Sequence, residues 1–381
     1  MKLSRKSIYG MILVFAFMGL ETISGSMAIA ADTVKIGMIF PVSGKVAYDG
    51  QAVVTGAKAA ISYINEKGGI LGGRKVELDL IDSVCQPAQA VSAAKRLIAQ
   101  NDTKVIIGDF CSNATSALQQ VTEESKVVLI TPVAVSPMLT ERGAKLFFRN
   151  NSTSAMHSKT FSKFVSKVLK LKTIALIVKN DEYGQLETKI YSQLYQELGN
   201  PKVVYSGFFG SADEDFSAQL TQAKSMKTES IYIVAQTEQG ANIIKQLRNL
   251  GMTNVKVLGA GALFNPKLVE LVGEGAEGMY VYTGYDPSAK NPGMKLFIEE
   301  FPKRSGKECG LYEAMGWDTM LILANAIDKA GTDKDSAKIA DRLRQSQFDG
   351  PRGLITFDGN GQAQITTKIV QVQKGKFVRV Y

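Results

Sequence analysis

The chain of 381 residues and 41.3 kDa is long enough for two domains of ordinary size. Its 45% hydrophobic and 21% charged content, with 35 glycines and 10 prolines, excludes a disordered, fibrous or collagen-like chain. One histidine and three cysteines argue against a histidine-rich metal centre, a four-thiolate zinc site and a disulfide-dense scaffold, and the net charge of +9 is spread without a run of five basic residues, which gives a nucleic-acid groove no support.

The first residues, Met1-Lys2-Leu3-Ser4-Arg5-Lys6, are cationic, and an apolar run follows from Ile8 to Leu20. That run is short for a permanent bilayer span, and Ala28-Ile29-Ala30 fits a small-residue cleavage site. Residues 1–30 are therefore expected to be a signal peptide cleaved near Ala30; the alternative is an N-terminal membrane anchor. Removing them takes away Lys2, Arg5, Lys6 and Glu21 and lowers the formal charge from +9 to +7. No cysteine precedes Cys85, so no lipidation cysteine closes the leader. The mature protein is expected to be soluble and periplasmic. In that oxidising compartment a Cys85–Cys111 bridge is favoured over two buried thiols, because both cysteines follow predicted strands at one end of a sheet; Cys309 is left over.

Strand and helix patterns then alternate. Val34–Ile39 reads as a strand, Gly50–Lys67 as a helix ended by Gly68-Gly69, Val76–Ile81 as a strand and Ala88–Gln100 as a helix. Val105–Gly108 is a strand, a helix starts near Ser112, and Val127–Ile130 is a strand. A second series places strands at Ile174–Val178, Val203–Phe208, Ile231–Ala235 and Val255–Leu258, with helices at Glu187–Leu198, Phe216–Met226 and Ala241–Leu250. Met279–Thr283 reads as a strand crossing elsewhere. Glu313–Ala330 and Ser336–Ser346 read as helices, with Trp317 in the core, and the chain ends in a hairpin about Lys374-Gly375. The alternation specifies an α/β fold of two doubly wound, mostly parallel-sheet units facing each other, with ligands expected beyond the carboxyl ends of the strands.

Three loops sit at such ends. In Gly108-Asp109-Phe110-Cys111-Ser112-Asn113-Ala114-Thr115, Ser112 can cap the following helix or hold a carboxylate together with free helix N–H groups. In Thr131-Pro132-Val133-Ala134-Val135-Ser136-Pro137, backbone groups of Val133 and Val135 are expected at the rim. Asp181-Glu182-Tyr183-Gly184 occupies the equivalent place in the second half, where Tyr183 can cover a cleft or pack on the surface. No G-x-S-x-G, P-loop or H-E-x-x-H motif occurs, and Gly259-Ala260-Gly261 lacks the third glycine of a dinucleotide fingerprint. His157, after Ser152-Thr153-Ser154, reads as a surface residue at a helix start.

Several stretches together resemble the periplasmic branched-chain amino-acid binding proteins of ATP-driven (ABC) importers: Ile36–Gly44, Gly56-Ala57 leading to Ile64–Ile70, Asp82–Ala90, Gly108–Ser112 and Ile130-Thr131-Pro132. The resemblance implies a type I periplasmic binding protein, two lobes joined by a three-segment hinge, with one lobe from 31–153 plus 283–358 and the other from 154–282 plus 359–381. It implies a disulfide at Cys85 and Cys111. It also implies ligand contacts at Ser112, matching the serine that binds the amino-acid carboxylate, at Val133, matching a residue that offers backbone groups, and at Tyr183, matching a second-lobe tyrosine. The sequence departs from the family at Val135, where a threonine is usual, at Gln236, where a tyrosine is usual, and at Gly261, where the family's glutamate pairs with the substrate ammonium. A first-lobe aromatic aligns with Asp49, beside Tyr48. Either Asp49 supplies the missing charge or the ligand is not an α-amino acid; Asp49 can equally cap the helix starting near Gly50.

The function implied is a monomeric, non-enzymatic solute-binding protein that captures an amino acid or related small carboxylate or amide and delivers it to an inner-membrane ABC permease, with no metal, cofactor or nucleic acid. The alternatives are the ligand-binding component of a sensory system and a secreted α/β enzyme.

Overall fold

The computed structural model describes residues 33–381; the expected signal peptide lies outside them. In the first part of the chain, β1 (Val34–Phe40), β2 (Val76–Asp82), β3 (Val105–Gly108), β4 (Val128–Thr131) and β5 (Phe147–Arg149) alternate with α1 (Ala47–Glu66), α2 (Pro87–Asn101), α3 (Ser112–Glu124) and the short α4 (Met138–Glu141). These strands form one parallel sheet in the order β2-β1-β3-β4-β5. Residues of β3 and β4 are buried on both faces, which is why they read as continuous apolar runs rather than alternating ones.

The second part runs α5 (Ser154–Lys163), β6 (Thr173–Lys179), α6 (Glu182–Leu198), β7 (Lys202–Phe209), α7 (Ser217–Ser225), β8 (Ser230–Val234), α8 (Thr237–Asn249), β9 (Lys256–Gly259), α9 (Pro266–Val272) and β10 (Tyr280–Thr283). The chain then returns to the first sheet's side with α10 (Pro292–Ser305), α11 (Leu311–Ala330), α12 (Ser336–Arg344) and a small antiparallel sheet of β11 (Gln347–Gly350), β12 (Gly353–Phe357) and β13 (Ala363–Gln364). It ends in the hairpin β14 (Lys368–Gln373) and β15 (Lys376–Arg379). The second large sheet has the order β15-β14-β10-β9-β8-β6-β7, with only β14 running against the other strands. The chain thus passes between the two sheets three times: after β5, after β10 and after β13.

The expected α/β architecture is present, and Trp317 is fully buried. The first helix begins at Ala47, not Gly50, so Asp49 lies inside its first turn and does not cap it. The periodicity missed β5, α5, α9, α10 and β11–β13. Prolines at 292 and 302 interrupt the apolar pattern of α10, and serines fill the buried face of α5.

Helix α1 lies directly on α11, and two glycines permit the approach. A Cβ on Gly316 would stand 1.9 Å from the Val53 carbonyl oxygen, and one on Gly56 would stand 2.0 Å from that of Glu313. Both obstacles are backbone, so a methyl group can be accommodated only by separating the helices. Gly316→Ala is expected to lower the unfolding free energy by about 1–3 kcal/mol, read from denaturant titration, with the larger gain in helix propensity that alanine normally gives failing to appear.

Candidate functional site

The carboxyl ends of β3, β4, β6, β8, β9 and β10 converge on one enclosed cavity of about 80 Å³. The first lobe contributes Phe110, Ser112, Val133, Val135 and Tyr312; the second contributes His157, Tyr183, Gln236, Gly261 and Tyr282.

At one end stands the start of α3. Its first turn carries no acidic residue; Asp109 accepts the Cys111 N–H and Asn113 Oδ1 the Ala114 N–H, which leaves the Ser112 and Asn113 N–H groups free among the described residues. Ser112 is the first helical residue and does not act as the cap. Its Oγ accepts the Ser136 N–H at 3.3 Å, while its own hydroxyl proton has no acceptor. The residue is buried, with 6% of its surface exposed. The loop after β4 differs from expectation in one respect. The Val133 carbonyl accepts Asn151 Nδ2 at 3.0 Å and the Val135 carbonyl accepts the Ser154 N–H at 3.0 Å, so neither carbonyl is free. The loop's available group is the Val135 N–H. Free N–H groups, an uncapped helix start and a buried hydroxyl make a receptor for an anion.

The opposite wall is aromatic. His157 lies flat on Tyr282, ring centres 4.8 Å apart, and the Tyr183 and Tyr282 hydroxyls are 3.5 Å apart. His157 is not the surface residue expected from the sequence: it is 4% exposed. Burial, with Lys368 and Arg352 nearby, pushes its imidazole down to about 3, so it is neutral in ordinary buffers. Its Nδ1 meets Thr367 Oγ1 at 2.9 Å. Gly261 is small because Tyr282 occupies the space: a Cβ there would lie 2.8 Å from the Tyr282 ring. Gln236 Oε1 is buried without a donor.

Six of the seven ligand positions expected from the sequence, Ser112, Val133, Val135, Tyr183, Gln236 and Gly261, line this cavity together. Asp49 is not among them. Its carboxylate crosses from α1 to the other lobe, accepting Thr237 Oγ1 at 2.9 Å and Asn265 Nδ2 at 2.9 Å. Ser136 Oγ makes a second bridge, donating to Glu182 Oε1 at 3.1 Å. The sequence reading also passed over Tyr282, Tyr312 and Asn151. Tyr282 ends a recognised strand, and that position was the available signal.

Cys85 and Cys111 are joined, with Cα atoms 5.6 Å apart, so the bridge ties the end of β2 to the start of α3; Cys309 is free. Asp109 stands beside the bridge and accepts the Cys111 N–H, but the paired sulfurs leave no thiolates for a metal.

Two facing parallel-sheet lobes, crossed three times by the chain and enclosing one small cavity, define a protein that clasps a small molecule. The chain belongs to the periplasmic binding protein family, whose model matches residues 33–376. It is 29% identical to the leucine-, isoleucine-, valine-, threonine- and alanine-binding protein of Pseudomonas aeruginosa, over 88% of each chain. Among solved structures, the leucine binding protein LivK of Thermotoga maritima superposes with a TM-score of 0.84 at 32% identity, covering 92% of this chain and 98% of that one. The branched-chain amino acid substrate binding protein LivJ of Streptococcus pneumoniae, solved with isoleucine, gives 0.84 at 26% identity over 92% and 100%.

Asp49 predicts a pH dependence. It is 2% exposed, and burial lifts its carboxyl to about 7, against the lowering effect of Thr237 and Asn265 and with Glu238 adding to the rise. Tyr48 and Tyr312 also face it, and Lys267 is paired with Glu270. An acid whose pKa is raised in the bridged state binds more protons there than when exposed. Bridging is therefore favoured as pH falls through about 7 and opposed above it. Ligand affinity, measured by calorimetry, is expected to rise roughly tenfold from pH 8 to pH 5.5, with fractional proton uptake, and Asp49→Asn should flatten the profile.

Proposed function

We propose that this chain is the periplasmic solute-binding protein of an ABC importer, capturing a small carboxylate between its lobes and delivering it to an inner-membrane permease. The observation that carries the reading is the uncapped start of α3, with the Ser112 hydroxyl facing an enclosed cavity between the lobes. Binding and release follow from the difference in affinity between open and closed lobes, and no bond is made or broken. The lobes divide near residues 153/154, 282/283 and 358/359, which puts the hinge beside the cavity. The leader, cleaved near Ala30, exports the chain, and it works as a monomer.

The test is a thermal-shift screen of the mature protein against amino acids, organic acids and amides, with recovery of the ligand. A ligand at 100 times its Kd should stabilise the fold by about 2.7 kcal/mol and be recovered unchanged. A turned-over compound would instead indicate an enzyme. Ser112→Ala should weaken binding by about 1.5–3 kcal/mol, because it removes a hydrogen bond to a charged group. The variant without ligand should also lose about 1–3 kcal/mol of stability, because the buried Ser136 N–H loses its acceptor, so affinity is measured at a temperature where both proteins are folded.

A further inference from the structure

The charges around the cavity constrain its ligand more narrowly than the class just proposed, on which this inference rests. Helices α3, α5, α6, α8 and α11 all begin beside the cavity. The starts of three of them, α6, α8 and α11, are already met by carboxylates, the last by Glu313 in its own first turn, and α5 is capped by Thr153. Asp181 caps α6 through the Gly184 N–H at 2.9 Å and pairs with Lys179 at 3.1 Å. Asp49 sits against the start of α8. The first turn of α3 holds no acid, and Asp109 engages only the Cys111 N–H ahead of it, so among the described residues the Ser112 and Asn113 N–H groups remain for one negative charge.

The cavity lining offers no free counter-charge for a cation. The acids lining the cavity are Asp181 and Glu182. Asp181 is engaged as described, and Glu182 is exposed at the rim and accepts Ser136 Oγ. Glu187, the acid behind the aromatic wall, is not in the lining; its Oε2 accepts the Tyr232 hydroxyl at 2.7 Å. The wall itself is the neutral His157–Tyr282 stack, continued by Tyr183. An ammonium placed there would lose its water and gain only neutral neighbours, of which Gln236 Oε1 is the one unpartnered acceptor. That acceptor suits a hydroxyl.

We infer that the cavity selects a small monocarboxylate with an uncharged tail, its carboxylate at the start of α3 and its tail against His157 and Tyr282, and that it discriminates against α-amino acids. An amino acid differs from its α-hydroxy and deaminated counterparts chiefly at the group for which the cavity offers no counter-charge.

The experiment uses such matched sets with the mature protein at pH 7.5: leucine, 2-hydroxy-4-methylpentanoate and 4-methylpentanoate, then phenylalanine, phenyllactate and 3-phenylpropionate. Calorimetric Kd values should favour the hydroxy or deaminated acid at least tenfold within the set that binds. Gln236→Glu, which places a charge beside the unpartnered acceptor, should shift the ratio towards the amino acid by at least tenfold. Because the ratio is taken within one variant, loss of stability does not mimic it. Equal or tighter binding of the amino acid overturns the inference and leaves solute capture standing. If no set binds while a neutral amide does, the carboxylate assignment falls as well. If nothing in the broad solute screen binds, the solute-capture reading itself fails.

Discussion

The hinge and the ligand cavity are held by two guanidinium groups that cannot reach water. Arg149, at the end of β5, is completely buried, and among the described residues no carboxylate lies within ion-pair distance of it. It survives there by hydrogen bonding: Nε donates to Gln362 at 2.7 Å, and the other nitrogens donate to the Ser136 carbonyl and to Thr140 Oγ1. Burial lowers its pKa to about 9, which still leaves it charged at neutral pH. Arg352 is buried against Asp318 at 2.8 Å and also donates to the Asn150 carbonyl at 2.8 Å. Removing any of these acceptors strands a buried charge, which costs far more than the bond itself. The first crossing segment, 149–152, is thereby fastened to the third, because Gln362 also donates to the Asn151 carbonyl at 2.6 Å and Ser152 Oγ to that of Ile365 at 3.0 Å. Arg149 ties the same junction to the loop that supplies Val135 and Ser136. The chain crossings and the loop after β4 therefore share one set of bonds.

The lobes differ in how they tolerate polar groups near that junction. The first-lobe end of the cavity presents backbone donors with a fixed direction, set by β4, α3 and the Cys85–Cys111 bridge. The second lobe presents side chains: Tyr183, Gln236 and Tyr282, backed by a buried cluster of Glu187, Tyr191, Tyr195 and Tyr232. Backbone donors recognise a carboxylate and little else about a molecule. Side chains decide what may accompany it. The loss of a side chain at Gly261 and the presence of Tyr282 are one packing event, since the ring fills the volume that any larger residue would need.

Much of this could be read from the chain. Strands β3, β4 and β6 are short apolar runs, and their carboxyl ends located three of the loops that converge on the cavity. Ser112 was singled out because a serine at a strand-to-helix junction has two plausible partners; the structure shows the hydroxyl bonded to Ser136 and not to its own helix. His157 was misplaced for a physical reason. It lies on a serine-rich helix, and Ser154, Ser158 and Ser162 form the buried face because they fit beneath aromatic rings, so hydrophobic periodicity gave no warning. Asp49 lies buried in the first turn of α1 and outside the cavity lining, and its partners Thr237 and Asn265 are 188 and 216 residues away. No local pattern reports a contact made only when the lobes meet.

Asp49 and Glu187 illustrate why burial alone does not make a functional titration. Both carboxyls are raised to about 7, chiefly by desolvation. Glu187 sits within the second lobe on α6, bonded to Tyr232 on β8, and those elements pack together whether or not the lobes meet. Its partners Ser154, Tyr232 and Tyr282 lie on α5, β8 and β10, so its burial comes from packing within that lobe. Asp49 owes its burial to the other lobe. Separating Thr237 and Asn265 from it returns the carboxylate to water and releases its proton. Of two acids with the same pKa, only the one whose desolvation is created by closure can couple closure to pH.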